Sequence, residues 1–413
     1  MKTKTKNENQ KPVTEKRYLK RGVSASKEDV HKAIKKHYKG LFPKAFCKII
    51  EDYITKNPEY CAIMHADGAG TKFALAYLYW KITGEISVFK GVVQDSIVMN
   101  LDDVLCAGVT NEMIHLSSTL GRNKHLLPAE VVDAIINGAN EFIDLMKQYD
   151  VNIVNTGGET ADVGDLVRTG ILDNTVFVHM RRDDVITNEE IREGDRIIGL
   201  ASFGQTTYET EYNGGMGSNG LTSSRHDIFC KENMKYTETF DPNTDPEVIY
   251  CGQHKVTSKV PTKWFKNHPY KRPKNMGKLV LSPTRTYAPF IRAMREIISK
   301  SRIHGMIHCS GGAQTKVLNY IENLHIIKNN LFPTPPLFQI IQADSGTEWP
   351  EMYKVFNMGH RFEIYVPDDG ETAQTIIELA KSFNLEARII GHVEASESKK
   401  LTIKSEHGKF VYE

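Results

Sequence analysis

The 413-residue sequence predicts an α+β chain of two domains, and three observations carry that prediction. Composition is that of an ordinary folded protein, 40% hydrophobic and 25% charged, over a length sufficient for two cores. Strand and helix patterns alternate from Tyr60 to about Phe177. A charged stretch poor in apolar residues, Arg181 to Asp195, then precedes a second set of elements that opens at Arg196-Ile197-Ile198-Gly199-Leu200-Ala201. The expected division is a mobile tail over 1–20, a first domain over 21–185 and a second over 186–413.

Met1 to Lys20 is polar and lysine-rich without an apolar core, so it does not read as a secretory leader. Tyr60-Cys61-Ala62-Ile63-Met64 reads as a buried strand. Ile86 to Val93 also reads as a strand, with Asp95 capping a helix from Ser96 to Ala107. Pro128 to Tyr149 is the clearest helix. Pro128 suits a first helical position, and Val131, Val132, Ile135, Ala139, Phe142, Ile143 and Met146 form one apolar face. Val151-Asn152-Ile153-Val154 is a further strand. In the second domain, Asn233 to Lys278 is rich in Pro, Asn, Lys and Thr without periodicity and reads as a long insertion. Tyr287 to Arg302 follows as a helix. Arg361–Val366, Glu371–Phe383 and Ala387–Val393 make a β-α-β pattern, and Leu401–Tyr412 a hairpin turning near His407-Gly408.

Bulk properties exclude several function classes. A formal charge of +2 argues against a general polyanion binder, so nucleic acid is not an expected partner. No apolar run approaches the roughly 18 residues of a membrane span. The six cysteines contain no Cys-x-x-Cys pair, which fits neither a zinc site nor a disulfide framework and points to a reducing cytoplasm.

The candidate chemistry lies in glycine loops and strand-end acids. His65-Ala66-Asp67-Gly68-Ala69-Gly70-Thr71-Lys72 follows the first strand. Its glycines allow close approach to an anion, Asp67 offers oxygen to a hard cation, and Lys72 adds positive charge. Asp95 and Glu159 also follow apolar runs. Were the three strands aligned, three carboxylates would converge on one rim and need divalent cations to offset their repulsion. A second loop, Gly214-Gly215-Met216-Gly217-Ser218-Asn219-Gly220, precedes Arg225 and could hold phosphate; a plain flexible loop accounts for it equally well. A third is Gly311-Gly312, just after His308. Thr284 precedes a helix that it could cap. Neither the P-loop nor the Rossmann spacing is present.

Taken in order, these segments resemble the phosphoribosylformylglycinamidine cyclo-ligase (aminoimidazole ribonucleotide synthetase) family. Asp-Gly-Val-Gly-Thr-Lys appears at 67–72 with Ala69 for Val, and Asp-x-x-x-Met-x-x-Asn-Asp at 95–103 with Asp102 for Asn. Gly-Gly-Glu-Thr-Ala is intact at 157–161, and Met352 to Gly359 matches a further signature. Tyr18 to Val23 resembles the segment that folds over ATP in this family. There are departures. Gly217 stands where the family has His, Ala313 replaces a glycine, and His360-Arg361 replaces Ile-Gly. The rival branches fit less well, since the reactive cysteine of selenophosphate synthetases and the C-terminal cysteine of the hydrogenase-maturation branch are missing.

The resemblance implies a two-domain synthetase fold, with an N-terminal sheet that pairs across a homodimer and a C-terminal α/β sandwich. It implies ATP and Mg²⁺, with Asp67, Asp95 and Glu159 as metal ligands and Asp103 as a weaker candidate. Gly68, Gly70, Thr71, Lys72, Ser218, Asn219, Gly311 and Gly312 would bind phosphate, and Lys72, Asn219 and His308 would act in catalysis. The implied reaction closes the imidazole ring of a purine precursor through an iminophosphate.

Overall fold

The computed structural model describes residues 16–25, 27–34, 36–266 and 270–413. Two mixed sheets organise them, as an α+β two-domain chain requires. The first sheet holds β1 (Ile49–Glu51), β2 (Tyr60–Gly68), β3 (Ile114–Arg122), β4 (Ile153–Asp162) and β5 (Gly170–Arg181), in the order β1-β2-β5-β3-β4. β3 and β4 are parallel, and every other neighbour pair is antiparallel.

Helices Lys72–Thr83, Val88–Cys106 and Ala129–Lys147 pack on one face of this sheet. The period of two in β5 shows it: Leu172, Asn174, Val176, Val178 and Met180 are buried beneath the helices, while the residues between them face outward. The outer face is open. Met64, Phe177, His115 and Val154 form one cross-strand row there.

The strand expected over Ile86–Val93 does not exist. Its β-branched and aromatic residues belong to the helix Val88–Cys106, which is buried on nearly every side and so carries no apolar stripe to betray its period. Asp95 therefore caps nothing; it lies in the second turn of that helix, fully buried. The clear helix forms as Ala129–Lys147, with Pro128 one position outside as its N-cap.

The second sheet holds β6 (Arg196–Ala201), β7 (Gly305–His308), β8 (Leu324–Lys328), β9 (His360–Val366), β10 (Ala387–Ala395), β11 (Lys400–Ser405) and β12 (Gly408–Tyr412), in the order β12-β11-β8-β10-β6-β9-β7. Helix Thr372–Ser382 joins β9 to β10 as the β-α-β pattern predicts, but β6 lies between them, antiparallel to both. The terminal hairpin forms from β11 and β12.

The insertion is packed. Val248, Ile249, Tyr250, Val256 and Val260 are buried. It props the helix Lys72–Thr83, with Tyr77 Oη donating to Glu238 Oε1 at 2.9 Å and Asn275 Nδ2 donating to Tyr79 Oη at 3.0 Å. Of the expected mobile tail, residues 1–15 lie outside the described residues. Lys16–Leu19 is a helical turn docked on the second domain, where the Arg17 and Tyr18 backbone N–H groups donate to Glu351 Oε1. Arg21 continues that contact with an ion pair to buried Asp227 at 2.7 Å.

Candidate active site

Three glycine loops from the two domains meet. β2 ends at Gly68, where a Cβ would lie 1.7 Å from Asp173 Oδ1 of the neighbouring strand, so a side chain has no room. The chain turns through Gly70, and Thr71 Oγ1 hydrogen-bonds Thr222 Oγ1 at 2.7 Å. Thr222 lies in the helix Leu221–Ile228, which follows directly on Gly214–Gly220. Asn219 Nδ2 lies 3.7 Å from where a Cβ on Gly311 would stand, so the Gly311-Gly312 turn joins the same place. Ser218 Oγ is buried there without a hydrogen-bond partner among the described residues. An unsatisfied buried hydroxyl among glycine loops is what a ligand oxygen would complete.

The three metal-candidate acids do not converge within one chain. Asp67 pairs with Asn174 and faces the helices. Glu159 pairs with Thr119, which pairs with Asp173, on the open face. Three strand steps separate β2 from β4, about 14 Å. Asp95 is enclosed elsewhere. Its Oδ1 accepts from Lys72 Nζ at 2.7 Å, from the Thr284 backbone N–H at 2.6 Å and from the Thr284 hydroxyl, while Oδ2 has no partner among the described residues.

Lys72 is likewise buried, and its ammonium also donates to the Ser282 carbonyl at 2.6 Å. Burial pushes the Asp95 carboxyl up and the Lys72 ammonium down, each opposed by the other's charge. The pair ties the first domain to the Ser282–Thr284 segment of the second. Thr284 is thus a partner of Asp95, and the helix beyond it starts only at Ala288.

A second buried chain crosses the domain boundary. His65 Nε2 lies 3.2 Å from Asp103 Oδ2, and Asp103 Oδ1 lies 2.5 Å from His308 Nδ1. His308 Nε2 accepts from Arg361 Nε at 3.1 Å, and Arg361 Nη2 donates to Asp102 Oδ2 at 3.1 Å. Asp102 Oδ1 accepts from Thr286 Oγ1 at 2.7 Å. Both ring nitrogens of His308 are thereby engaged inside the protein. The catalytic role expected of it finds no free ring nitrogen in this geometry; it positions Arg361.

His65 is fixed as a double donor. Asn100 Nδ2 donates to the Asp67 and Ser96 carbonyls, so its Oδ1 must accept from His65 Nδ1 at 3.1 Å while Asp103 accepts at Nε2. Burial opposes the charged ring, but the Asp103 hydrogen bond and charge outweigh it and raise the His65 pKa. Burial opposes the Asp103 carboxylate too, and its bonds to His308 and His65 prevail, holding it well below the usual range. Asp67 stands beside them at the surface. Crowding around its carboxyl and then the Asp103 charge push it up, although the residue as a whole is exposed.

Sequence reasoning passed over His65, Asn100 and Arg361. The signal available was Asp102-Asp103 inside an apolar run, since buried acids require cationic partners. Gly217 has φ +67°, and a Cβ on it would stand 3.1 Å from Arg361 Nη1. Arg361 thus takes up the space that a side chain at 217 would need. A cavity of about 330 Å³ lies elsewhere in the fold, lined by Lys90, Gln94, Glu141, Tyr208, Glu209 and Arg285, and includes none of the predicted site residues.

Comparison with known proteins gives this geometry a lineage. The family pattern described as "AIR synthase related protein, N-terminal domain" matches residues 49–178, and its C-terminal counterpart matches residues 192–404. The phosphoribosylformylglycinamidine cyclo-ligase of Methanococcus vannielii is 26% identical over 336 residues, 81% of this chain and 78% of that protein. That of Methanocaldococcus jannaschii is 27% identical, with 81% and 79% covered. Among solved structures, "Crystal structure of HypE-HypF complex" superposes with a TM-score of 0.54 at 13% identity, covering 93% of this chain and 98% of that one. "AaThiL complexed with AMPPCP and TMP" superposes at 0.52 with 13% identity, covering 94% and 97%; both show the fold alone. With both of its domains matched, the chain belongs to the AIR synthase related protein family.

Proposed function

We propose that this protein is an ATP- and Mg²⁺-dependent ligase that closes the imidazole ring of formylglycinamidine ribonucleotide, giving aminoimidazole ribonucleotide, ADP and phosphate. The observation that carries the reading is the meeting of the three glycine loops across the domain boundary, around the unsatisfied Ser218 hydroxyl. Phosphoryl transfer asks the protein mainly to position groups and to stabilise charge. Transfer of the ATP γ-phosphoryl group to the formyl oxygen makes that oxygen a leaving group. The substrate's own ring-forming nitrogen then attacks the carbon, and phosphate departs.

In this reading Gly68, Gly70, Thr71, Gly311 and Gly312 supply close backbone approach, and Ser218 and Asn219 donate to phosphate oxygens. Mg²⁺ when bound would neutralise phosphate charge. Asp67 fits it, being exposed and crowded by Asp103. Glu159 fits only from a second copy of the chain, because its side of the sheet is the open one. Asp95 does not fit as a ligand, since Lys72 and Thr284 enclose it. Lys72 acts by holding Asp95 and the Ser282–Thr284 segment in place. We assign the open apolar row Met64, Phe177 and Val154 to a homodimer interface.

A second reading, the same ATP chemistry on a different amide, is favoured by one observation. Of three departures from the family pattern, Asp102, Gly217 and Arg361, the arginine touches both of the others. One assay decides between them: pure protein with formylglycinamidine ribonucleotide, ATP and Mg²⁺, monitored for aminoimidazole ribonucleotide and an equal yield of ADP. Absence of both products from folded protein would defeat the first reading.

A further inference from the structure

We infer that Arg361 is a specificity-determining residue of this site, whose Nη1 donates to a phosphate oxygen held over the Gly214–Gly220 loop. The inference deepens the reading above and rests on that loop being a phosphate cradle. Arg361 is 2% exposed, and the protein fixes every part of its guanidinium but one. Nε donates to His308, Nη2 donates to Asp102 and to the Arg285 carbonyl, and the Tyr287 ring lies 5.5 Å from the guanidinium carbon. No hydrogen bond from Nη1 is seen among the described residues, and it stands against Gly217, next to Ser218, whose hydroxyl is buried without a partner.

A guanidinium N–H left over by the fold and a buried hydroxyl without an acceptor, beside a helix of eight residues that opens at Leu221, select an anionic oxygen. Glycine at 217 is part of the device. Any larger side chain there would displace Nη1 or take the place of the ligand. Asp102 completes it by balancing the guanidinium charge, so the arginine acts as an oriented donor.

The test is calorimetric titration of the full chain with inorganic phosphate, ribose 5-phosphate and Mg·ATP, in wild type, Arg361→Lys and Gly217→Ala. Lysine keeps a cation for Asp102 but loses the fork, while alanine keeps the arginine but sets a methyl 3.1 Å from Nη1, on a backbone whose positive φ it also strains. Wild type should bind ribose 5-phosphate or Mg·ATP, and both variants should bind that compound on the order of tenfold more weakly. Whichever compound responds identifies the source of the phosphate. Should Arg361→Lys fail to fold, Gly217→Ala carries the test alone. Equal affinity in wild type and every folded variant would overturn the role of Arg361 while leaving the cradle standing. If wild type binds none of the three, the cradle itself fails, and this inference with it.

Discussion

Arg361 lies against Gly217 and pairs with Asp102, so the three positions should behave as one unit. Gly217→His should destabilise the protein alone, since the imidazole would need the space of the guanidinium. Asp102→Asn should also destabilise, leaving the Arg361 charge without its carboxylate. The triple variant Gly217→His, Asp102→Asn, Arg361→Gly should recover part of the loss, with a coupling of about 0.5–3 kcal/mol in urea unfolding. Strict additivity would show that the three positions are independent. His65 makes a second prediction at this scale. Its pKa is raised in the fold above the ordinary 6.5, so the native state holds the proton more tightly than the unfolded chain. The stability it contributes is complete below the ordinary value and is lost as pH rises through the raised one. A pH series of unfolding free energies should fall across that window in wild type and stay flatter in His65→Gln; parallel curves would refute the charged His65.

At the scale of elements, the helix Val88–Cys106 is the strut of the molecule. It places Asp95 against Lys72 and Thr284, and it places Asp102 and Asp103 against the second domain. Lys72→Met would leave Asp95 buried without its cation and should cost about 3–5 kcal/mol in chemical denaturation. Lys72→Met with Asp95→Leu should recover most of that loss. If the double variant is as unstable as the single, the pair is not what joins the domains there. This helix also marks where the sequence was hardest to read. The helix Ala129–Lys147 is buried on one side only, so its apolar face showed in the residues, as did the β-α-β pattern around Thr372–Ser382. Val88–Cys106 is packed all round, and its Val, Ile and Phe content imitated a strand. The glycine loops were legible as motifs because their backbone demands are local. The partnerships of Lys72 with Ser282, His308 with Asp103 and Arg361 with Asp102 were not, because they join residues more than 200 positions apart and depend on how the two sheets meet.

At the scale of the whole molecule, one face of the first sheet has no cover among the described residues. Met64 is 69% exposed, Ile171 43% and Val154 38%, and β4 is exposed along most of its length. A largely antiparallel sheet tolerates one solvated face when that face is polar, and this one is not uniformly so. Glu159 also lies on it, three strands from Asp67, and the proposed function therefore takes the two acids from two chains. This yields a complementation test. Asp67→Asn and Glu159→Gln should each abolish turnover alone. Co-expressed, they should form mixed dimers in which one of the two sites pairs an intact Asp67 with an intact Glu159. Random exchange within a two-fold assembly then restores roughly a quarter of wild-type turnover. Val154→Lys with Ile171→Lys should lower the mass seen in sedimentation to that of one chain and remove the restored activity. No activity on mixing two folded, dimeric variants would place both acids in a single chain or exclude Glu159 from the site. Activity persisting in a monomeric Lys variant would show that each chain works alone.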